Sequence, residues 1–260
     1  MGGRIRTDKE GAIGWIVFDH PERRNAISVE MWRQIPPAVA GFADDPEVRV
    51  VILRGEGEVA FVSGADISEF EKTRTGDSAS QYDRDNGHAF LAISELEKPT
   101  VAMIHGFCVG GGVAISLAAD LRFAADDSVF AVPAARLGLG YGMGGLETLA
   151  NLVGTSAAKE IFFTARRFSA TEALQMGLVN GIFPSSQLEA AVRKTAGQIA
   201  ANAPLTLRSV KLILREVLRE PSARDQEGVA ASIRACFESH DYREGVRAFL
   251  EKRRPEFKGE

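Results

Sequence analysis

The run Val101–Ile104 stops at Gly106, and four residues later Gly110–Gly112 lead straight into Val-Ala-Ile-Ser-Leu. No other stretch narrows the folds open to this chain as much. An apolar strand ends, the backbone turns through glycines, and an apolar helix begins. Neither element has a polar face to give to water, so both belong inside, one layered on the other. Four more short apolar runs fit this plan: Ile13–Phe18, Val48–Leu53, Leu121–Ala124 and Val129–Val132. Gly, Pro or charge bounds them, as is usual for buried strands. Between the first two, Ser28 is placed to cap a helix with Met31 three residues in, and Pro36 and Pro37 predict that this helix bends or restarts.

From about residue 144 the pattern changes to successive helices. Apolar residues recur at three- and four-residue spacing over Ala157–Thr164, Ala170–Met176, Gln187–Ala201, Leu205–Leu218 and Ala223–Phe237. Pro204 and Pro221 stand where helices start, while Gly181 and Pro184 mark a turn. The expected division is an α/β core over residues 1–200 and a helical region over 201–260.

With 45% hydrophobic and 25% charged residues, a 260-residue chain can bury a core without disulfide or metal staples. Cys108 and Cys236 fit neither a disulfide framework nor a zinc site and read as free thiols. The formal charge of −4 offers no general footprint for nucleic acid. No apolar run approaches the roughly 18 residues of a membrane span, and the first residues lack a secretory pattern. The expectation is a cytoplasmic protein with no membrane or nucleic-acid partner.

Two glycine arrangements invite chemistry. Gly140-Tyr-Gly142-Met-Gly144-Gly145 matches G-x-G-x-x-G literally, but no β-branched strand precedes it and no acidic partner follows, so a dinucleotide site is not supported. Gly110–Gly112 would leave N–H groups uncovered at a helix N-terminus, where the dipole favours an anion or oxyanion. Close packing of helix on strand is the plain alternative use of such glycines. The segment Ala60–Phe70 decides between them. It too sets a small-residue turn, Ser63-Gly64-Ala65, before a helix with Asp66 or Ser68 as cap. Two such turns can offer two N–H donors to one carbonyl oxygen, which implies enolate or tetrahedral-intermediate chemistry.

The segments A-F-V-S-G-A-D-I-S-E-F at 60–70 and H-G-F-C-V-G-G-G-V-A-I-S-L-A-A-D at 105–120 resemble the two signature segments of the enoyl-CoA hydratase/isomerase family, the crotonases. H-P-E-R-R-N-A-I-S at 20–28, L-G-L-G-Y-G-M-G-G at 137–145, F-F-T-A-R-R-F-S-A-T-E-A-L-Q-M-G-L-V-N at 162–180 and R-E-G-V-R-A-F-L-E-K-R-R-P-E-F-K at 243–258 extend the likeness over most of the chain. The resemblance implies a spiral of ββα turns with a C-terminal helical trimerisation region, assembled as a homotrimer or a dimer of trimers. It implies an acyl-CoA thioester substrate, coenzyme A being part of that substrate, with no separate cofactor and no metal. The family's two oxyanion N–H groups map to Ala65 and Gly111, and Ala65, Asp66, Ile67 and Ser68 map to the segment lining the CoA moiety. By position, Arg24, Lys252 and Lys258 are its phosphate partners.

Hydratases of the family use two glutamates as general base and acid. Aligned on the motifs, this chain has Ala114 and Ala134 there. Alanine transfers no proton, so efficient two-glutamate hydration is not expected. Tyr141 falls where the methylmalonyl-CoA decarboxylase branch has its tyrosine, and K-E-I-F-F-T-A and A-F-L-E-K-R-R-P also look like that branch, which however carries histidine where this chain has Ala65. The readings are therefore an enolate-stabilising lyase or isomerase, a decarboxylase centred on Tyr141, and an acyl-CoA-binding protein without turnover. Asp85 and His88 are candidate replacement bases. Glu147 reads as a dipole-favouring acid at a helix start, and Glu69 as an exposed first-turn acid. His20, His105 and His240 read as turn or surface residues. Ser63 lacks a histidine–acid pair at readable spacing.

Overall fold

A computed structural model describes residues 2–70 and 77–260. Two sheets form its frame. The larger takes β1 (Arg4–Glu10), β2 (Ile13–Asp19), β3 (Val50–Gly55), β5 (Thr100–Ile104), β7 (Leu121–Ala125) and β10 (Gly181–Phe183), in that spatial order. The smaller orders β4 (Ala60–Val62), β6 (Phe107–Val109), β8 (Val129–Ala131) and β9 (Phe168–Ser169). Pairing is parallel except at β1–β2 and β8–β9. The chain alternates between sheets, from β3 to β4, β5 to β6 and β7 to β8, and so winds as the ββα spiral that the resemblance implies.

Both faces of the large sheet are covered, which is why its strands read as unbroken apolar runs. Ile16, Phe18, Val51, Leu53, Ala102 and Ile104 face the main core. Their alternates Trp15, Val17, Val50, Ile52, Val101 and Met103 face a second core closed by Leu188, Val192 and Ala196.

Helix α1 (Val29–Asp44) begins as expected, the Ser28 hydroxyl accepting from Met31 N–H. It does not restart at Pro36 and Pro37, which both lie inside one helix. Adjacent prolines remove just two intrahelical hydrogen bonds, and the buried side chains Met31, Trp32, Ile35, Val39 and Phe42 run through the interruption and hold the helix to the core. Then follow α2 (Asp77–Glu95), α3 (Gly111–Ala118), α4 (Ala134–Leu137), α5 (Met143–Thr164), α6 (Ala170–Gln175) and α7 (Leu188–Ala200). The last three helices are α8 (Pro204–Val217), α9 (Gln226–Glu238) and α10 (His240–Leu250).

Three further expectations change. Gly181 opens strand β10 instead of a turn, because Phe183 packs on Phe123 at 6.0 Å and the segment pairs with β7. Pro221 starts a single 3-10 turn, and α9 begins later, where Asp225 caps Gly228 N–H. Helix α5 starts at Met143, well before Ala157, and kinks at Gly154 with φ of 78°. No helix of the described residues is long and apolar enough to cross a membrane.

Candidate functional site

Strand β4 delivers Ser63-Gly64-Ala65 to the edge of the small sheet, with Gly64 at φ of 118°, where a side chain would be strained. Ile27, arriving from before α1, locks this turn by a parallel bridge: its N–H donates to Gly64 O at 2.8 Å, and its carbonyl accepts from Asp66 N–H at 2.9 Å. In such a bridge the intervening residue's own N–H points away from the partner strand. Ala65 therefore turns its amide outward.

Helix α3 comes to meet it. A Cβ on Gly112 would stand 2.2 Å from Val62 O, so the helix lies on β4 at a distance that glycine alone permits. A Cβ on Gly111 would stand 3.5 Å from Ala65 N and 3.4 Å from the Trp32 ring. Gly110 bends the entry at φ of 52°, its own N–H tied to Ala131 O at 2.8 Å. Gly111 is the first residue of the helix and has no carbonyl one turn back. Neither the Ala65 nor the Gly111 amide donates to a backbone carbonyl among the described residues. Trp32 is fixed beside them, Nε1–H donating to Tyr82 Oη at 3.2 Å and the ring edge-on to Phe90.

The neighbouring residues divide by role. The buried Asp66 carboxylate accepts from Ser68 N–H at 3.0 Å and Ser68 Oγ–H at 2.6 Å, with Arg23 at 3.3 Å. Burial pushes its pKa up, but the Ser68 hydrogen bonds and the Arg23 charge outweigh this and hold it below the ordinary carboxylate value. Ile67 is exposed beyond this cap, and so is Ser68. Glu69 is not a free surface acid: its carboxylate accepts from Val29 N–H at 2.9 Å and ties the 66–69 turn to the start of α1. Arg24 lies next to the same turn, Ser63 N–H donating to its carbonyl, and its guanidinium sits 5.1 Å from the Phe107 ring centroid. Arg167 shares that ring at 5.8 Å, a neighbour that no spacing in the sequence announced.

The lysines lie elsewhere. Lys258 belongs to the C-terminal tail, its N–H donating to Asp241 at 2.7 Å, and it lines a cleft of about 560 Å³ with Pro36, Val39 and Pro46. That cleft is toward the far end of α1, whereas Trp32 in the first turn abuts Gly111. Lys252 is an exposed residue at φ of 53° after α10. Within one chain, Lys258 is not brought to the Ala65–Gly111 pair.

Of the two alanines, Ala114 sits one turn along α3 from Gly111 and is half-buried, while Ala134 is buried at the start of α4. Tyr141 is exposed, edge-on to Phe162 of α5 at 4.9 Å. Asp85 is occupied by Arg33 at 2.9 Å and Gln81 at 2.7 Å, and His88 is exposed on α2. Glu147 lies beyond the first turn of α5 and so does not act on its N-terminal dipole. His20 and His105 are buried, not surface residues: the His20 ring is hydrogen-bonded with Ala26 O, and burial together with Arg54 lowers the pKa of His105. The Ser63 hydroxyl donates to Arg23 O, and its partner is thus backbone.

Residues 8–260 match the family model described as enoyl-CoA hydratase/isomerase. The crotonyl-CoA hydratase of Syntrophomonas wolfei is 34% identical over 97% of both chains. The carnitinyl-CoA dehydratase of Salmonella typhi is 34% identical over the full length of both. Among solved structures, an enoyl-CoA hydratase/carnithine racemase from Magnetospirillum magneticum superposes with a TM-score of 0.94 at 33% identity, over 98% of this chain and 96% of the other.

Proposed function

The chain belongs to the enoyl-CoA hydratase/isomerase family, and from that premise we propose that it binds an acyl-CoA thioester with the carbonyl oxygen between the amides of Ala65 and Gly111 and stabilises the enolate formed there. One observation carries this reading: Gly111 lies against Ala65 N, and neither amide is spent on a backbone carbonyl of the described residues. Donors held by a bridge to Ile27 and by glycine packing on Val62 need not reorganise as charge develops on the oxygen. We assign a CoA phosphate to Arg24, whose carbonyl accepts from Ser63 N–H beside the Ala65 turn and whose guanidinium lies over the Phe107 ring.

The proton chemistry differs from that of a two-glutamate hydratase. Ala114 stands one turn beyond the donor and Ala134 is buried, and neither side chain can activate water or protonate an α-carbon. We assign the chain a lyase or isomerase role that does not depend on those two positions. The first test is hydration of crotonyl-CoA, followed as loss of the conjugated enoyl-thioester absorbance beside a two-glutamate control enzyme. A rate at least a thousandfold below the control is expected, and comparable turnover would refute the reading of Ala114 and Ala134. Incorporation of deuterium at the α-carbon of bound butyryl-CoA in heavy water tests enolate formation itself.

Decarboxylation is the second reading, favoured by the exposed Tyr141 ring held on Phe162. It asks for little base, since a carboxylate held out of the thioester plane leaves as carbon dioxide, the C–C bonding electrons pass into an enolate whose oxygen the two amides hold, and the α-carbon then takes a proton. Carbon dioxide release from methylmalonyl-CoA that falls at least tenfold in Tyr141→Phe would select it. Tight acyl-CoA binding with neither exchange nor release would select a binding protein. The exposed Phe249 and Leu250 of α10 support assembly of several copies through the C-terminal helices.

A further inference from the structure

Arg122, on β7, takes a guanidinium into the interior and is only 5% exposed. Among the described residues it forms no ion pair within 4.0 Å. Its hydrogen bonds go to carbonyl oxygens: Nε–H donates to Leu178 O at 2.8 Å, and Nη1 donates to Ala119 O at 2.6 Å and Ser116 O at 3.3 Å. The Asp120 carboxylate is the acidic group that acts on it, but that group is already engaged by Thr100 N–H, the Thr100 hydroxyl and Lys211. Asn180 clamps the backbone of Arg122 from both sides, at 2.8 Å each.

Ser116 and Ala119 supply carbonyls at the C-terminal end of α3, the helix whose first residue is Gly111. Ser116 O also accepts a long bond from the capping Ala119 N–H at 3.3 Å, and the carbonyls of this last turn form the negative pole of the helix. Eight residues span roughly 12 Å, so in this short helix the negative pole lies near enough to cancel part of the field at the other end. A buried cation on those carbonyls removes that cancellation, in a place where solvent screens it weakly.

We infer that Arg122 is a positioning residue for the Ala65–Gly111 pair: it neutralises the negative end of α3, leaves the positive end at Gly111 unopposed, and ties the last turn of the helix to Leu178. The inference rests on the reading that this pair holds the thioester oxygen. A unit charge at roughly 12 Å and an effective dielectric of about 20 corresponds to about tenfold in the stability of an oxyanion at Gly111.

Acetoacetyl-CoA tests it, because its enolate absorbs and the pH at which the bound ligand ionises reports the field on the oxygen. Butyryl-CoA is the neutral comparison. Arg122→Gln is expected to raise the ionisation pH of bound acetoacetyl-CoA by about one unit, the tenfold above, while butyryl-CoA affinity stays within about threefold. Arg122→Lys keeps the charge and is expected to hold the wild-type ionisation pH even where the melting temperature falls. An unchanged ionisation pH in Arg122→Gln, or equal losses for both ligands, overturns the inference. If Arg122→Gln does not fold, the lysine variant decides: a one-unit rise there overturns it, and a wild-type value despite lost stability supports it. Should the wild-type protein fail to lower the ionisation pH of acetoacetyl-CoA below that of the free ligand, the reading of the pair fails, and the role of Arg122 with it.

Discussion

Replacing Gly111 by alanine separates the donor pair from the fold that carries it. The added methyl would stand 3.5 Å from Ala65 N and 3.4 Å from the Trp32 ring, ordinary contact distances that ask nothing of the backbone. Gly111 has no positive φ, and alanine is favoured over glycine within a helix by about 1 kcal/mol, so stability should hold or rise slightly. An acceptor oxygen, however, must approach Ala65 N to about 3 Å, and the methyl stands against that amide. Loss of one oxyanion donor costs about 3–4 kcal/mol, or 10²–10³ in rate. Gly111→Ala is therefore expected to melt at or above the wild-type temperature while α-deuterium exchange on butyryl-CoA falls at least a hundredfold. Gly112→Ala is the internal control. Its methyl would meet Val62 O at 2.2 Å, and forcing β4 and α3 apart should cost about 1–3 kcal/mol of stability. A Gly111→Ala variant that exchanges within threefold of wild type would refute the assignment of the pair, whatever Gly112→Ala does.

Three further outcomes follow from the same structure. Ala114→Glu combined with Ala134→Glu should raise crotonyl-CoA hydration at least tenfold over wild type, and an unchanged rate would mean that those positions do not face the bound enoyl group. Hydrogen bonds from Arg253 and from Glu256 N–H hold the Glu244 carboxyl at about 2, below its ordinary 4.5. A depressed carboxyl stabilises the fold fully above the unfolded value and ceases to do so as pH falls through the folded one. The stability gap between wild type and Glu244→Gln in urea titrations should thus be constant above about pH 5 and close between 4.5 and 2. A gap that persists at pH 2 would refute that pairing. Phe249→Glu with Leu250→Glu should lower the sedimentation mass to that of a smaller species, and an unchanged mass would remove α10 from the assembly surface.

How much of this was readable beforehand depended on where each contact came from. The long strands were legible because covering both faces of the sheet forces continuous apolar runs such as Val50–Leu53. Strand β1 was not, since Arg4–Glu10 pairs at an edge with an almost wholly polar, exposed sequence. β4, β6, β9 and β10 have two or three residues each, too few for a period to register. The glycines at 64 and 110–112 marked the two turns, because helix entry and close packing both demand that residue type. Ile27, which orients the Ala65 amide, and Glu69, which binds Val29 N–H from forty residues away, carry no local signature. Nor does Arg167, whose part emerges only once β6 places Phe107 beneath it.

That division has a chemical counterpart. The proposed donor pair is made of backbone amides, and its geometry follows from a strand, a bridge and a glycine packed on Val62 O, so it persists as long as the core does. Proton transfer, by contrast, depends on single side chains, and positions such as 114 and 134, alanine here, can change without moving α3 or β4. A chain can thus keep the thioester site intact and lose or replace the acid and base. On this argument the relatives' hydratase and dehydratase names constrain what this protein binds more tightly than what it does to it. The hydration rate and the α-exchange rate then test different parts of the site: exchange with scarcely any hydration is expected where a replacement base serves the intact donor pair, and fast hydration of crotonyl-CoA would show that the acid and base had not been lost.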